Sequence, residues 1–381
     1  MPRHGESRAL SPNVVAPRSV HRMDTHTATR TDPAPKRCLV TGGAGFIGSH
    51  LVRLLLHRGH SVRVVDLSPS PGLDRRAEFV QGSILDAPLM RRAMAHIDQV
   101  FHLAAYAHLW APDKRIFSET NFHGTQVVLA AAAEAGVQRI VHTSTELVLV
   151  TQRTNQYAVA RDEPVSRTVD DMLGPYCRSK YLAEQEALAA ATRGLPVVVV
   201  NPTLPVGPGD YQLTPPTRMI LDFLNGRNPG YMECEMNLID ARDVALGHLL
   251  AAEQGRIGER YLLGAETVRM SRLLEMLTDF SSLPMPHTRV PYLMALGVAC
   301  ASEWIADHIS RKPPKASLAG VQIAGTSRLF DLSRTVRELG LEPRPAREAL
   351  GAEVAWLYDQ GLIHRPLTRP ALQVLESFRC A

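Results

Sequence analysis

Tyr176-Cys177-Arg178-Ser179-Lys180 is the stretch whose residue types and spacing most plainly suit chemistry. It opens a helical run to Thr192, and an i, i+4 pair puts a phenol and an ammonium on one helix face. A phenol titrates near about 10 in water, so it exchanges protons poorly near neutrality unless a nearby cation favours its ionised form. Lys180 is the candidate cation. Upstream, Val141-His142-Thr143-Ser144-Thr145 closes a strand-like run. A Thr145 hydroxyl there, with Ser144 beside it, would hydrogen-bond a substrate oxygen and the phenol together. Glu146 follows, either lining the same pocket or serving as an ordinary structural glutamate. Together these groups can move a proton to or from an oxygen.

A second stretch supplies what a proton alone cannot. Thr41-Gly42-Gly43-Ala44-Gly45-Phe46-Ile47-Gly48 follows the apolar run Cys38-Leu39-Val40 and leads into the amphipathic run Ser49–His57. The glycines therefore sit at a strand-to-helix turn, where a dinucleotide's pyrophosphate can rest on unpaired backbone N–H groups. Gly42 and Gly43 permit a tight backbone, Gly45 lets phosphate approach, and Gly48 lets the helix pack on the strand, with Phe46 and Ile47 at the same turn. The β-rich run from Ser61 ends at Asp66, 18 residues after Gly48, close to where a carboxylate grips the adenosine ribose. Such a carboxylate favours NAD, while Arg75 and Arg76 nearby leave NADP open. With a dinucleotide placed, Lys180 gains a second task, holding the nicotinamide ribose so that the hydride donor lies beside the phenol.

The elements that must position these groups follow from Lys36 onward. Strand-like and helix-like runs alternate there, the pattern of an α/β fold with a doubly wound parallel sheet. Strands are expected at about 37–41, 61–66, 78–82, 98–103, 138–144 and 196–201, with helices at about 45–58, 86–96, 115–135 and 173–193. Leu103-Ala104-Ala105 ends one strand with small residues that suit a backbone passing close to a ligand. After Asn201, prolines punctuate a loop-rich region with helices near 217–225, 241–254, 270–280 and 291–309 and a strand near 260–263. Leu350, Val354 and Leu357 share one face of a helix expected within Pro345–Gln360. The expected organisation is an extension without fixed structure over 1–35 and a dinucleotide-binding domain over 36–201, to which later segments return. A smaller substrate-binding cap over 202–365 and a tail over 366–381 complete it.

Composition narrows the classes. With 381 residues, 45% apolar and 21% charged, the chain reads as soluble and globular. Its net charge of +4 is carried by residues 1–37, where Arg3, Arg8, Arg18, Arg22, Arg30, Lys36 and Arg37 face only Glu6, Asp24 and Asp32. The remainder is neutral, which argues against a nucleic-acid partner. The 5 cysteines are scattered without C-x-x-C spacing and the 15 histidines form no H-E-x-x-H, so no metal site is expected and a reducing, cytoplasmic location fits. No run approaches the ~18 apolar residues of a transmembrane helix. The uncharged stretch Val290–Ser302 reads as a core helix, a lid over the substrate or a membrane-surface helix, so peripheral membrane contact stays open.

Taken together, residues 37 to about 360 resemble the extended short-chain dehydrogenase/reductase superfamily, the NAD-dependent epimerase/dehydratase group. Leu109-Trp110-Ala111-Pro112-Asp113 and the runs Asp170–Lys180, Asn201–Gly226 and Gly258–Gly264 are similar to hopanoid-associated sugar epimerases and dihydroflavonol-4-reductase-like proteins. The resemblance implies a Rossmann-type fold with a smaller cap, pyrophosphate binding by Gly42, Gly45 and Gly48, ribose binding by Asp66, and catalysis by Tyr176 and Lys180 with Thr145 at the Ser/Thr position. It places Ser83 and Ile84 at adenine, although the family usually has Asp where Ser83 stands. It puts the loop containing Pro202 and Val206 under the nicotinamide. It also implies a homodimer formed through the helices near 115–135 and 173–193.

The residues then discriminate between reactions. Sugar-nucleotide dehydratases of the superfamily follow the catalytic Thr with two acids, whereas Thr145 is followed by Glu146-Leu147, so two-carboxylate elimination is not expected. Sugar-nucleotide epimerases usually place an Arg before the segment that reads Met236-Asn237-Leu238-Ile239-Asp240. Here Glu233 and Glu235 precede it, and two acids would repel a diphosphate. Apolar side chains including Met219 and Phe223 suit a hydrophobic substrate, though such stripes also serve plain core. The expectation is an NAD(P)-dependent oxidoreductase that interconverts a secondary alcohol and a ketone on a fairly apolar small molecule of terpenoid, steroid-like, polyketide or flavonoid type. A sugar or sugar-nucleotide epimerase and a non-catalytic NAD-binding scaffold remain alternatives. Asp66→Asn is predicted to weaken NAD binding and relax discrimination against NADP in a cofactor titration; an unchanged NAD/NADP ratio would mean that Asp66 serves elsewhere.

Overall fold

A computed structural model describes residues 34–149, 158–160, 167–326 and 328–379; the expected extension 1–35 lies outside them apart from its last two residues. In chain order the strands are β1 Arg37–Thr41, β2 Ser61–Asp66, β3 Glu78–Gln81, β4 Gln99–His102, β5 Arg139–Thr143, β6 Ala158–Ala160, β7 Val197–Pro202, β8 Leu204–Val206, β9 Glu235–Asp240, β10 Arg260–Leu263, β11 Glu266–Arg269 and β12 Arg328–Phe330. The helices are α1 Phe46–His57, α2 Ala87–Ala93, α3 Arg115–Phe117, α4 Gly124–Ala135, α5 Gly174–Thr192, α6 Pro215–Leu224, α7 Ala241–Gln254, α8 Met270–Ser281, α9 Tyr292–Ile305, α10 Leu318–Ala324, α11 Ser333–Leu339, α12 Ala346–Asp359 and α13 Arg369–Arg379.

The main sheet runs β10-β7-β5-β4-β1-β2-β3, all parallel. Successive strand residues point to opposite faces, and the apolar runs use both. Cys38, Val40, Val198 and Val200 enter one core with Leu51 and Leu55 of α1 and Val244 and Leu249 of α7. Leu39, Val197 and Val199 enter the other with Met90 of α2, Val128 of α4 and Ala187 of α5. From β1 the chain winds outward through β2 and β3, then crosses to β4 and winds the other way. The reversal falls between β1 and β4, whose paired ends are Thr41 and His102, and a ligand crevice opens at the carboxyl ends there.

Segments after Asn201 divide between two tasks. β10 and α7 return to the main sheet. Leu339 and Leu341, at and just beyond the end of α11, enter the main-sheet core and β12 pairs with β6, while most of the rest builds a cap on the three-stranded sheet β11-β9-β8. Its core joins Ile220 and Phe223 of α6, Leu273 and Leu277 of α8, and Leu350, Val354 and Leu357 of α12, as the spacing of that last trio leads one to expect.

Two expectations change. The helix expected over 115–135 is broken by a wider π turn at Ser118–His123 between α3 and α4. The stretch expected as a tail contains α13, whose Ala371 and Leu375 are fully buried and whose Phe378 ring meets Phe280 edge-on at 5.2 Å. Their spacing of four and three residues is the helical signal that a short, polar-flanked segment partly hides. Gly351 on α12 makes room for that docking, since a Cβ there would lie 2.6 Å from the Phe378 ring. Leu375→Ala is predicted to destabilise the protein by about 2–5 kcal/mol in a denaturant titration; an unshifted midpoint would mean that α13 contributes nothing to the cap.

Candidate functional site

The site begins where β1 runs out. Gly42 takes a left-handed φ of +71°, and a Cβ there would lie 2.7 Å from the Ala104 backbone N, so the glycine turn and the end of β4 approach to backbone contact. At Gly48 a Cβ would lie 2.1 Å from the Gly42 carbonyl oxygen, which is why α1 can start so close to the turn. Leu103, Ala104 and Ala105 are half-buried beside it. Phe46 is buried and meets His50 edge-on at 5.9 Å, while Ile47 packs onto the sheet core. Asp66 faces the turn: its carboxylate accepts from the Ala44 N–H at 3.0 Å and the Leu67 N–H at 2.8 Å. Burial nonetheless raises its pKa against those two hydrogen bonds. Arg76, which left NADP open, is committed to Asp74 at 2.7 Å. Ser83 accepts from the Leu85 N–H at 3.1 Å, and Ile84 is buried against Gly124. A side-chain-free cradle at a helix start, with a carboxylate at the end of β2, fits a dinucleotide.

The proton-handling groups converge beyond β5 and along α5. Thr145, two residues past the end of β5, is buried, and its side chain lies near enough to the Tyr176 phenol to favour the ionised form. Lys180, one turn further along α5, is buried and donates from Nζ to the Thr143 carbonyl at 2.7 Å. Burial lowers Lys180 to about 8, with Glu184 opposing. The phenol departs from expectation: burial raises its pKa above the usual value, Cys177 and Glu146 add to the rise, and the Thr145 side chain opposes it. Lys180 acts instead on His102 and His142, lowering both. Burial is the largest cause of the phenol's rise, while the Lys180 ammonium sits on the Thr143 carbonyl. Ser144 is buried beside Thr145, with its N–H donating to the Val200 carbonyl at 2.7 Å. Glu146, also buried, is near enough to Tyr176 to raise its pKa.

The sequence reading missed the residues that hold this group in place. Asn201, at the end of β7, donates from Nδ2 to the Thr145 carbonyl at 3.1 Å and to Glu184 at 2.7 Å, and Glu184 pairs with Arg260 at 3.0 Å. Asn121, inside the π turn, reaches Ser179 at 2.9 Å and fixes the Tyr106 backbone through its Oδ1 at 2.7 Å. One signal was available. Tyr176, Lys180 and Glu184 are spaced by four, so three polar groups share one helix face.

The sequence pattern of the NAD dependent epimerase/dehydratase family matches residues 38–264. The chain belongs to that family. It is an NAD(P)-dependent enzyme of the extended short-chain dehydrogenase/reductase type. It is similar to a Synechocystis protein carrying the name dihydroflavonol 4-reductase, with 37% identity over 85% of this chain and 95% of the relative. It is also similar to sterol demethylase protein B of Methylococcus capsulatus, 31% identical over 85% of this chain and 99% of that one. The crystal structure of gox2253 superposes with a TM-score of 0.73 and 34% identity, covering 86% of this chain and 99% of the other.

Within this epimerase/dehydratase-family chain the structure places several expected residues inside the cap and removes one charge argument. Val206, expected under the nicotinamide, is 0% exposed in the cap core, and Pro202 is buried at the end of β7. Phe223, expected at the substrate, is buried in the same core, and the half-buried Met219 packs against that core. The argument that Glu233 and Glu235 repel an anionic substrate also falls. Glu233 pairs with Arg289 at 3.3 Å and Glu235 with Arg269 at 3.6 Å, so the local charge is balanced. These four border a cleft of about 550 Å3 on the cap, which none of Thr145, Tyr176 and Lys180 borders.

Beneath the site lies a set of buried imidazoles. His102 bridges the hydroxyls of Thr41 at 2.8 Å and Thr125 at 2.9 Å, and His248 meets Thr143 Oγ1 at 2.8 Å. His142, its ring 5.4 Å from His102, has no hydrogen-bond partner among the described residues. Burial lowers His102 to about 3, His248 to about 4 and His142 well below its ordinary value of 6.5. Unfolded histidines take up protons below about 6.5 while these stay neutral, so stability is full above that pH and falls as pH drops toward 4. Each such histidine steepens the fall by up to about 1.4 kcal/mol per pH unit. His142→Leu is predicted to flatten the slope between pH ~6.5 and ~5 by up to that amount in denaturant titrations; an unchanged slope would mean that His142 carries a proton in the folded protein.

Proposed function

We propose that this chain interconverts a secondary alcohol and a ketone on an apolar small molecule of terpenoid, steroid-like, polyketide or flavonoid type. The observation that carries the reading is the convergence of the Thr145 side chain and the Tyr176 phenol beside a buried, carbonyl-anchored Lys180. NAD, when bound, supplies or accepts the hydride at the reacting carbon. Tyr176 holds the proton that passes to the substrate oxygen in reduction and takes it back in oxidation. The phenol is protonated at neutral pH; burial raises its pKa and so weakens it as a donor, an effect that the Thr145 side chain opposes. Thr145 orients the oxygen, Asn201 holds the backbone from which Thr145 projects, and Lys180 fixes the spacing between α5 and β5. Gly42, Gly45 and Gly48 would receive the pyrophosphate and Asp66 the adenosine ribose. The names of the two curated relatives favour a flat, largely apolar substrate. Pairing of two copies through α4 and α5 belongs to the same proposal.

A second reading has one observation in its favour. Glu233 and Glu235 are already paired with Arg289 and Arg269, so their charge no longer counts against a nucleotide sugar. An epimerase would turn over nucleotide sugars without net change in nicotinamide absorbance, whereas the reductase consumes NADH or NADPH with an apolar ketone. Tyr176→Phe is predicted to leave NAD affinity intact and to lower turnover on such a ketone by at least about 100-fold; retained turnover would refute the assignment of the proton to this phenol.

A further inference from the structure

α9 and the wider turn that continues it, Ala306–Ser310, are built inside out. The inner stripe carries Ala299 and Ala306, both fully buried, and the helix packs on α10 through small residues and Tyr292. The outer stripe carries Leu293, Met294, Val298, Trp304, Ile305 and Ile309, with Leu293 76%, Val298 59% and Ile309 67% exposed. Their positions repeat at helical spacing, so they form one continuous apolar ridge on the outside of the protein.

The charges around the ridge are sorted. Both acids of the segment are turned away from it: Asp307 takes the Trp110 indole N–H at 2.7 Å and Lys114 at 3.1 Å, and Glu303 accepts from the Leu318 N–H at 2.7 Å. The cations that follow are not neutralised. Arg311, Lys312 and Lys315 are exposed, and among the described residues none of them forms an ion pair. Lys315 is fastened to the helix by its N–H to Ser302 Oγ at 3.1 Å, so the cations stay close to the ridge. No described helix is long and apolar enough to cross a membrane. An apolar ridge with an aromatic residue near one end, cations beside it and its own acids neutralised is the surface of a helix that lies in a bilayer interface.

We propose that α9 docks this protein on the surface of an anionic lipid bilayer, the outer ridge entering the headgroup boundary and Arg311, Lys312 and Lys315 meeting the lipid phosphates. Val290, Pro291 and Tyr292, which lead into α9, border the cap cleft, so docking would bring that cleft to the membrane. The proposal rests on this surface and not on the identity of the substrate. Its test is flotation of the full chain with phosphatidylcholine vesicles made with and without phosphatidylglycerol. The expected result is binding to the anionic vesicles that weakens with salt. Leu293→Ser/Val298→Ser/Ile309→Ser, and separately Arg311→Glu/Lys312→Glu, should each reduce partitioning by about tenfold or more, while both variants hold NAD as tightly as the parent. The charge variant lies beyond the helix, so it decides the matter even should the serine variant fail to fold. No flotation on anionic vesicles at low salt, or flotation indifferent to the charge variant, would overturn the proposal. A serine variant of lower mass in light scattering, from a parent that does not float, would assign the ridge to a second copy instead.

Discussion

The site depends on one buried hydrogen bond, from Lys180 Nζ to the carbonyl of Thr143. It ties the middle of α5 to the last residue of β5 at 2.7 Å, and the rest of the geometry follows from chain repeats. One helical turn back from Lys180, about 5.4 Å, stands Tyr176. Two residues on from Thr143, about 6.6 Å of extended chain, stands Thr145. Two steps of nearly equal length from a shared anchor bring phenol and hydroxyl near enough for the hydroxyl to act on the phenol's ionisation. The ammonium gives up water to sit there, which is why its pKa falls to about 8. Glu184, a further turn along the same helix, partly offsets that desolvation and is itself fixed by Asn201 and Arg260.

Beneath this anchor the interior is polar yet uncharged. His102, His142 and His248 are all pushed down by burial, and Lys180 depresses the first two further. Neutral imidazoles can bridge hydroxyls on adjacent strands, as His102 does between Thr41 and Thr125, without placing a second positive charge under the ammonium. The glycine turn at Gly42 and the proposed proton-handling group around Thr145 are thus joined through β1, β4 and β5 by packed and hydrogen-bonded side chains. This supports a rigid site rather than one assembled from loops.

Much of this was legible in the sequence, for physical reasons that differ by element. The β1–α1 turn showed itself because only glycine fits where Gly42 meets Ala104 and Gly48 meets the Gly42 carbonyl. Strands buried on both faces showed as apolar runs such as Val197–Val200. The α5 pair was visible because helical spacing is local. Long-range charge was not legible: Glu233 and Glu235 read as bare acids, and Arg289 and Arg269, which neutralise them, lie some way along the chain. Burial was also hidden: Phe223 and Val206, read as ligand contacts, lie inside the cap core. The same limit hid the direction of the Tyr176 shift, since adjacency to a lysine is a sequence property and desolvation is a property of the fold. On α9, composition announced an apolar helix but not that its apolar side faces outward.

The account as a whole asks that the cradle between β1 and β4 and the Thr145–Tyr176 pair serve one bound cofactor. A crystal structure with NAD measures this directly. The nicotinamide C4 should lie within about 4 Å of the point where an oxygen hydrogen-bonded to both Tyr176 and Thr145 would be bonded to its carbon, with the pyrophosphate over Gly42 and Gly45. A nicotinamide ring held away from Tyr176, with the pyrophosphate still on the glycine turn, would contradict it.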